Sequence, residues 1–145
     1  MNDLEIAKNE LKTKDLTLAI VKAGELIFKT KDHKIAGFLN AIEKFGQSLE
    51  GSSIADRVVG KAIALLCVYV NVKAIYAKVI SAKAKKVLEQ NQISHEWTSI
   101  VNEILDSETN QVCPFEMKAK SLSDPKDTYF ELRNLLNSLK DCKQS

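Results

Sequence analysis

The sequence predicts an α/β domain, a three-layer α/β/α sandwich on a mixed sheet. Three observations predict it. Residues Ala62 to Val70 are apolar on every side, so a helix there must be buried rather than lie on the surface. The stretches Leu16 to Val21 and Lys73 to Ile80 have the length and branched, apolar composition of strands. Such strands alternate with amphipathic helical stretches, which is the pattern of a sheet covered on both faces. At 145 residues the chain is one domain's worth, and it can bury a full core without disulfides or a structural metal.

The elements follow in order. Leu4, Ala7 and Leu11 recur at helical spacing and predict a short first helix. Leu16 to Val21 and Leu26 to Phe28 flank Lys22-Ala23-Gly24-Glu25, where Gly24 supplies a positive φ, so the pair reads as a β-hairpin. Thr30 to Lys34 is a charged connection. Ile35, Phe38, Leu39, Ile42 and Phe45 share one helical face, with Gly46 as the stop.

Ser53 with Asp56 three residues later has capping-box spacing, so the buried helix is expected to run from Asp56 to Val70. Lys73 to Ile80 is then a strand covered on both faces, placed at the sheet centre. Ser81 caps a helix carrying Ala84, Val87 and Leu88. Ile93 to Trp97 reads as a short strand, and Ile100, Val101, Ile104 and Leu105 as another helix. After a polar loop from Ser107 to Val112, Cys113-Pro114 and Asp124-Pro125 each open a helix, since proline suits the first helical position. The last helix carries Tyr129, Leu132, Leu135, Leu136 and Leu139.

Charge and composition limit the partners. The formal net charge is +2, and the lysines are spread along the chain. That balance argues against nucleic acid or an anionic membrane as a partner. The denser patch Lys83, Lys85 and Lys86 reads as a solvated helix face. The polar, acidic start Met1-Asn2-Asp3-Leu4-Glu5 is no secretory signal, and the longest apolar run is too short to cross a bilayer. Three cysteines with no close pair fit a reducing, cytoplasmic setting. A homo-oligomer remains open.

Candidate chemistry gathers at the predicted helix starts. Cys113 before Pro114 sits at an N-cap, where the helix dipole favours a thiolate; Glu116 in the same turn works against it. The alternative is a small residue packed at a turn beside a helix-start carboxylate. Asp56 can be a base, a ligand acceptor or a cap. Gly60, four residues on, leaves room for a ligand or for a closely packed strand. Arg57 and Lys61 can hold a phosphate or carboxylate together with free helix-start N–H groups, or be solvated. The hydroxyls of Ser53 and Ser81, at two predicted helix starts, complete the expected ligand-binding set. Cys67 lies in an apolar run and reads as inert core, Cys142 as incidental near the terminus, and Trp97 as a strand residue packing on the sheet. His33 and His95 have no ligand-spaced partner, so neither reads as a metal ligand.

The order of elements, together with Lys22-Ala23-Gly24-Glu25, Ala55-Asp56-Arg57-Val58-Val59-Gly60-Lys61-Ala62, Val79-Ile80-Ser81, Cys113-Pro114-Phe115-Glu116 and Asp124-Pro125, resembles the domain-of-unknown-function family eighteen ninety-three. The resemblance covers most of the chain and implies a cytidine-deaminase-like fold. Deaminase chemistry needs zinc on an H-x-E and a P-C-x-x-C motif. His33 is followed by Lys34-Ile35 and His95 by Glu96-Trp97, and no P-C-x-x-C occurs. Asp56 and Ser81 stand near the positions of the lost ligands, and one carboxylate with one hydroxyl makes a poor zinc site. The sequence therefore predicts neither metal nor cofactor. It predicts a module that binds a small polar ligand, nucleobase- or nucleotide-like by the resemblance. The alternative is a zinc-independent enzyme with Cys113 as nucleophile or proton donor, Asp56 as base and Glu116 beside them.

Overall fold

A computed structural model describes residues 1–32, 35–105 and 111–144, with side chains described as far as residue 139. His33, residues 107–110 of the expected polar loop and the Cys142 side chain lie outside the described residues.

The chain opens with α1 (Asp3–Thr13), capped by the Asn2 side chain, whose Oδ1 accepts from Glu5 N at 2.9 Å. The hairpin follows as β1 (Leu18–Lys22) and β2 (Glu25–Thr30). Both of its turn residues are left-handed, Ala23 at φ +52 and Gly24 at φ +80, which matches the twist of the flanking strands. The Asp3 carboxylate holds that turn by accepting from Ala23 N and Gly24 N at 3.0 and 2.9 Å. Next come α2 (Ala36–Phe45), stopped at Gly46, and a single 3-10 turn.

The remaining elements are β3 (Ser53–Val59), α3 (Lys61–Tyr69), β4 (Ala74–Ser81), α4 (Ala82–Gln90), β5 (Ser94–Val101), α5 (Pro114–Ala119) and α6 (Pro125–Gln144). Proline stands at the start of α5 and of α6, and Asp124 Oδ1 accepts from Asp127 N at 2.9 Å to cap α6.

Among the described residues five strands form one mixed sheet in the order β2-β1-β3-β4-β5. β1 runs antiparallel to both its neighbours, and β3, β4 and β5 run parallel. Helix α1 packs on one face through Ala7 and Leu11 against Ala19, Val21, Ala55 and Tyr76. The larger core lies on the other face, where α2 to α6 pack on Leu18, Ile20, Ile54, Ile75 and Ile80. The architecture is the expected α/β/α sandwich.

Three expectations need correction. Ser53 to Val59 is a strand and not the start of a helix, so Ser53 and Asp56 form no capping box. Two ladders claim that segment, one from β1 and one from β4, and together they satisfy backbone groups that a short helical turn would leave open. Gly60 is the true N-cap of the buried helix, which is shorter than expected. Its residues Ala62 to Cys67 are all buried. β3 therefore takes the central place that the sequence assigned to Lys73–Ile80; that stretch is β4, one strand further out. Finally, Ile100 and Val101 complete β5, and Leu105 pairs with Val112 in an isolated bridge rather than forming a helix with them. Ile100 and Leu105 are half-exposed, so the helical spacing of Ile100, Val101, Ile104 and Leu105 marks no buried helical face.

Candidate functional site

The parallel strands β3 and β4 both end at the same rim of the sheet, and α3 and α4 start there. Ligand clefts of open α/β sheets form beyond the carboxyl ends of such strands. In this chain the rim is a narrow cleft bordered by Lys61, Ser81, Lys83, Asn102, Glu116 and Lys120. Its free volume is about 10 Å³, room for about one water.

Glu116 occupies the α3 end of the cleft. Its carboxylate accepts from Lys61 N and from Ala62 N, each at 3.0 Å, so the first two amides of α3 are satisfied by a side chain 54 and 55 residues away. Helix starts attract anions through free N–H groups and the helix dipole, and here the anion belongs to the chain itself. Pro114 starts α5, and the helix carries Glu116 in its first turn while Phe115 and Ala119 are buried in the larger core. Burial raises the Glu116 carboxyl above its ordinary value, against the pull of the two amides and of the Lys61 and Lys83 ammoniums. Gly60 makes the approach feasible: a Cβ there would lie 2.0 Å from Oε1 of Glu116.

Ser81 forms the second helix start. It is buried, and its Oγ accepts from Ala84 N at 3.1 Å to cap α4. Lys61 Nζ reaches Lys120 O at 3.4 Å, and Lys120 pairs with Glu103 at 3.1 Å. Of the expected site residues, Gly60, Lys61, Ser81 and Glu116 thus meet at one place.

The others stand elsewhere. Ser53 is at the opposite end of β3, six residues and about 20 Å of strand from Val59. Asp56 and Arg57 are neighbours in a strand, so they point to opposite faces. Asp56 is partly buried and its strand partners are Leu18 and Ala77, both in the larger core. Its carboxyl is pushed up to about 7 by loss of solvent, against backbone N–H contacts from Val58 and Arg57. The charge of Asp56 also reaches Cys67 on α3, whose thiol is pushed well up, chiefly by burial. Arg57 lies on the α1 face and pairs with Asp15. Cys113 precedes α5 and is half-buried against the larger core; it makes no side-chain cap. The cleft lining includes neither Asp56 nor Cys113.

Lys83, Asn102 and Lys120 were missed as site residues. Lys83 was legible: it stands two residues after the Ser81 cap, hence in the first turn of α4. Asn102 follows β5, and only a correct end for that strand would have placed it.

Among the described residues no group of three or more His, Cys, Asp or Glu could hold a metal ion. At the two helix starts the donors are the Glu116 carboxylate and the Ser81 hydroxyl, and both already accept from backbone N–H groups. That set does not fit zinc, which takes three or four N, S or O ligands. His95 contacts Ile93 O through Nδ1 at 2.8 Å and stacks on Trp97, with ring centroids 5.7 Å apart. Trp97 is 39% exposed and lies under the Lys85 ammonium, 5.1 Å from the ring centre. No helix of the described residues is long and apolar enough to cross a membrane.

No curated protein matches the chain. A crystal structure of a DUF1893 family protein (TM1506) from Thermotoga maritima is 30% identical to it, with a TM-score of 0.82, over 94% of this chain and 90% of that one. The family model for the domain of unknown function DUF1893 matches residues 6–136, and the chain belongs to that family.

Proposed function

We propose that the protein binds a small polar, anionic ligand in the cleft where α3 and α4 begin, and does so without zinc. One observation carries the reading: the first amides of α3 already hold a carboxylate, that of Glu116, in two-point contact. A ligand phosphate or carboxylate offers the same oxygens to the same donors. Lys61 and Lys83 supply positive charge beside them, and the Ser81 hydroxyl lies at the rim. The cytidine-deaminase-like fold that the family resemblance implies would favour a nucleobase- or nucleotide-like body on that anion.

With Glu116 in place the cleft admits about one water, so binding requires Glu116 to withdraw. A thermal-shift screen of nucleosides, nucleotides and sugar phosphates tests this on the native chain and on Glu116→Gln. A ligand at 100 times its Kd stabilises the fold by about 2.7 kcal/mol. Phosphorylated ligands are expected to raise Tm, and more strongly in Glu116→Gln. If none of them moves Tm in either protein, the reading fails.

The enzymatic alternative has the Asp56 carboxyl in its favour, since a group that titrates near neutrality suits a general base. That carboxyl, however, faces the larger core, near enough to the fully buried Cys67 of α3 for its charge to raise that thiol further. The binding reading is therefore the stronger one.

A further inference from the structure

The opposite face of the sheet carries a second, roomier concavity. It measures about 390 Å³, within the range of small-molecule sites. Lys12 and Asp15 border it from α1 and the turn that follows, and Arg57, Tyr76, Lys78 and Thr98 from β3, β4 and β5.

Its charge is unbalanced. Three cations, Lys12, Arg57 and Lys78, stand against one carboxylate, Asp15, leaving a net charge of +2. Arg57 is held by Asp15, whose side chain is 86% exposed. Ion pairs that open to solvent contribute about 0–1 kcal/mol, so Arg57 can exchange Asp15 for a better partner. Lys12 lies 5.5 Å from the centre of the Tyr76 ring. Lys8 crowds the same ring at 4.8 Å, although Glu96 neutralises it at 2.8 Å.

The groove also has a neutral donor. Tyr76 Oη and Thr98 Oγ1 lie 2.6 Å apart. One hydroxyl donates to the other, so the pair keeps one O–H to give outward.

The geometry points to a phosphate-monoester site on this face, formed by Lys12, Arg57, Lys78 and the Tyr76–Thr98 hydroxyl pair, with Asp15 as the internal competitor for Arg57. The dianion matches the net charge of the lining. Arg57 suits it as a fork donor to two oxygens, and Lys12 and Lys78 as point charges. The volume fits a small phosphorylated metabolite. This site is independent of the cleft at Glu116.

Isothermal titration with inorganic phosphate and with ribose 5-phosphate, at fixed ionic strength, tests the inference. Both are expected to bind the native chain in this groove. Lys78→Gln and Arg57→Gln are each expected to weaken binding about tenfold. Asp15→Asn is expected to tighten it about threefold or more, because it frees Arg57 and removes a negative charge. Asparagine tolerates the left-handed backbone of residue 15, at φ +53, so that variant keeps its fold. Loss of binding in Lys78→Gln and Arg57→Gln, which border the groove and not the cleft, separates this site from the one at Glu116. Absence of binding, or binding indifferent to both Lys78→Gln and Asp15→Asn, overturns the inference. So does tighter binding of a single-stranded oligoribonucleotide than of ribose 5-phosphate, since the face would then be a nucleic-acid surface.

Discussion

The Glu116 carboxylate occupies the space that a side chain on residue 60 would need. An ideal Cβ on Gly60 falls 2.0 Å from one carboxylate oxygen and 2.8 Å from the other. The backbone at Gly60, φ −102 and ψ −174, is open to any residue, so the requirement for glycine comes from Glu116 and not from conformation.

Gly60→Ala is therefore expected to expel the carboxylate and strip two amides of their acceptor, at a cost of about 1–3 kcal/mol. Urea denaturation of Gly60→Ala, Glu116→Ala and the double variant measures the coupling. The alanine at position 60 should cost far less once Glu116 has been removed. An equal cost in both backgrounds would show that Gly60 answers to something else.

Asp56 gives the fold a pH dependence of definite sign. Burial pushes its carboxyl up to about 7 in the folded chain, from 3.8 when solvated. Between those values the folded state holds a proton that the unfolded state has released, so stability falls as pH rises from about 4 to about 7. One pKa unit corresponds to about 1.4 kcal/mol, which sets a ceiling of about 4 kcal/mol on the effect. Glu116, also raised, adds in the same direction. Asp56→Asn should flatten this part of the profile and be more stable than the native chain at pH 8. Parallel profiles for the two proteins in chemical denaturation would contradict the burial of that carboxyl.

Cys67 and Cys113 should differ sharply toward thiol reagents. Cys67 is fully buried and its thiol is pushed well up, chiefly by burial, whereas Cys113 is half-buried at the start of α5. Attack requires a reachable thiolate. Peptide mapping after a short pulse of iodoacetamide on the folded protein should find Cys113 alkylated and Cys67 intact. Equal labelling of the two would mean that α3 is not packed as described.

The layer architecture was legible because periodicity reports burial. Ala62 to Val70 is apolar all round, and it is the helix at the heart of the larger core. The hairpin was legible from Gly24, and the two late helices from their prolines. The start of α3 was not legible, because Ser53-Ile54-Ala55-Asp56 has the local chemistry of a cap. Only the ladders to β1 and β4, at long sequence separation, make it a strand. That one misreading displaced Asp56 and Arg57, which a helix would have set near Gly60 and Lys61. Glu116 was legible as a helix-start carboxylate, but its partner was not: it serves the first turn of α3 rather than its own helix.

The central claim is that Glu116 stands in for a ligand anion at the start of α3. The amide resonances of Lys61 and Ala62 report on it directly. In Glu116→Ala, titration with phosphate is expected to move both resonances saturably, whereas in the native chain the same concentrations move them little because the carboxylate competes. If α3 remains folded in Glu116→Ala and phosphate moves neither amide, Glu116 is a structural cap alone and the cleft is not a ligand site.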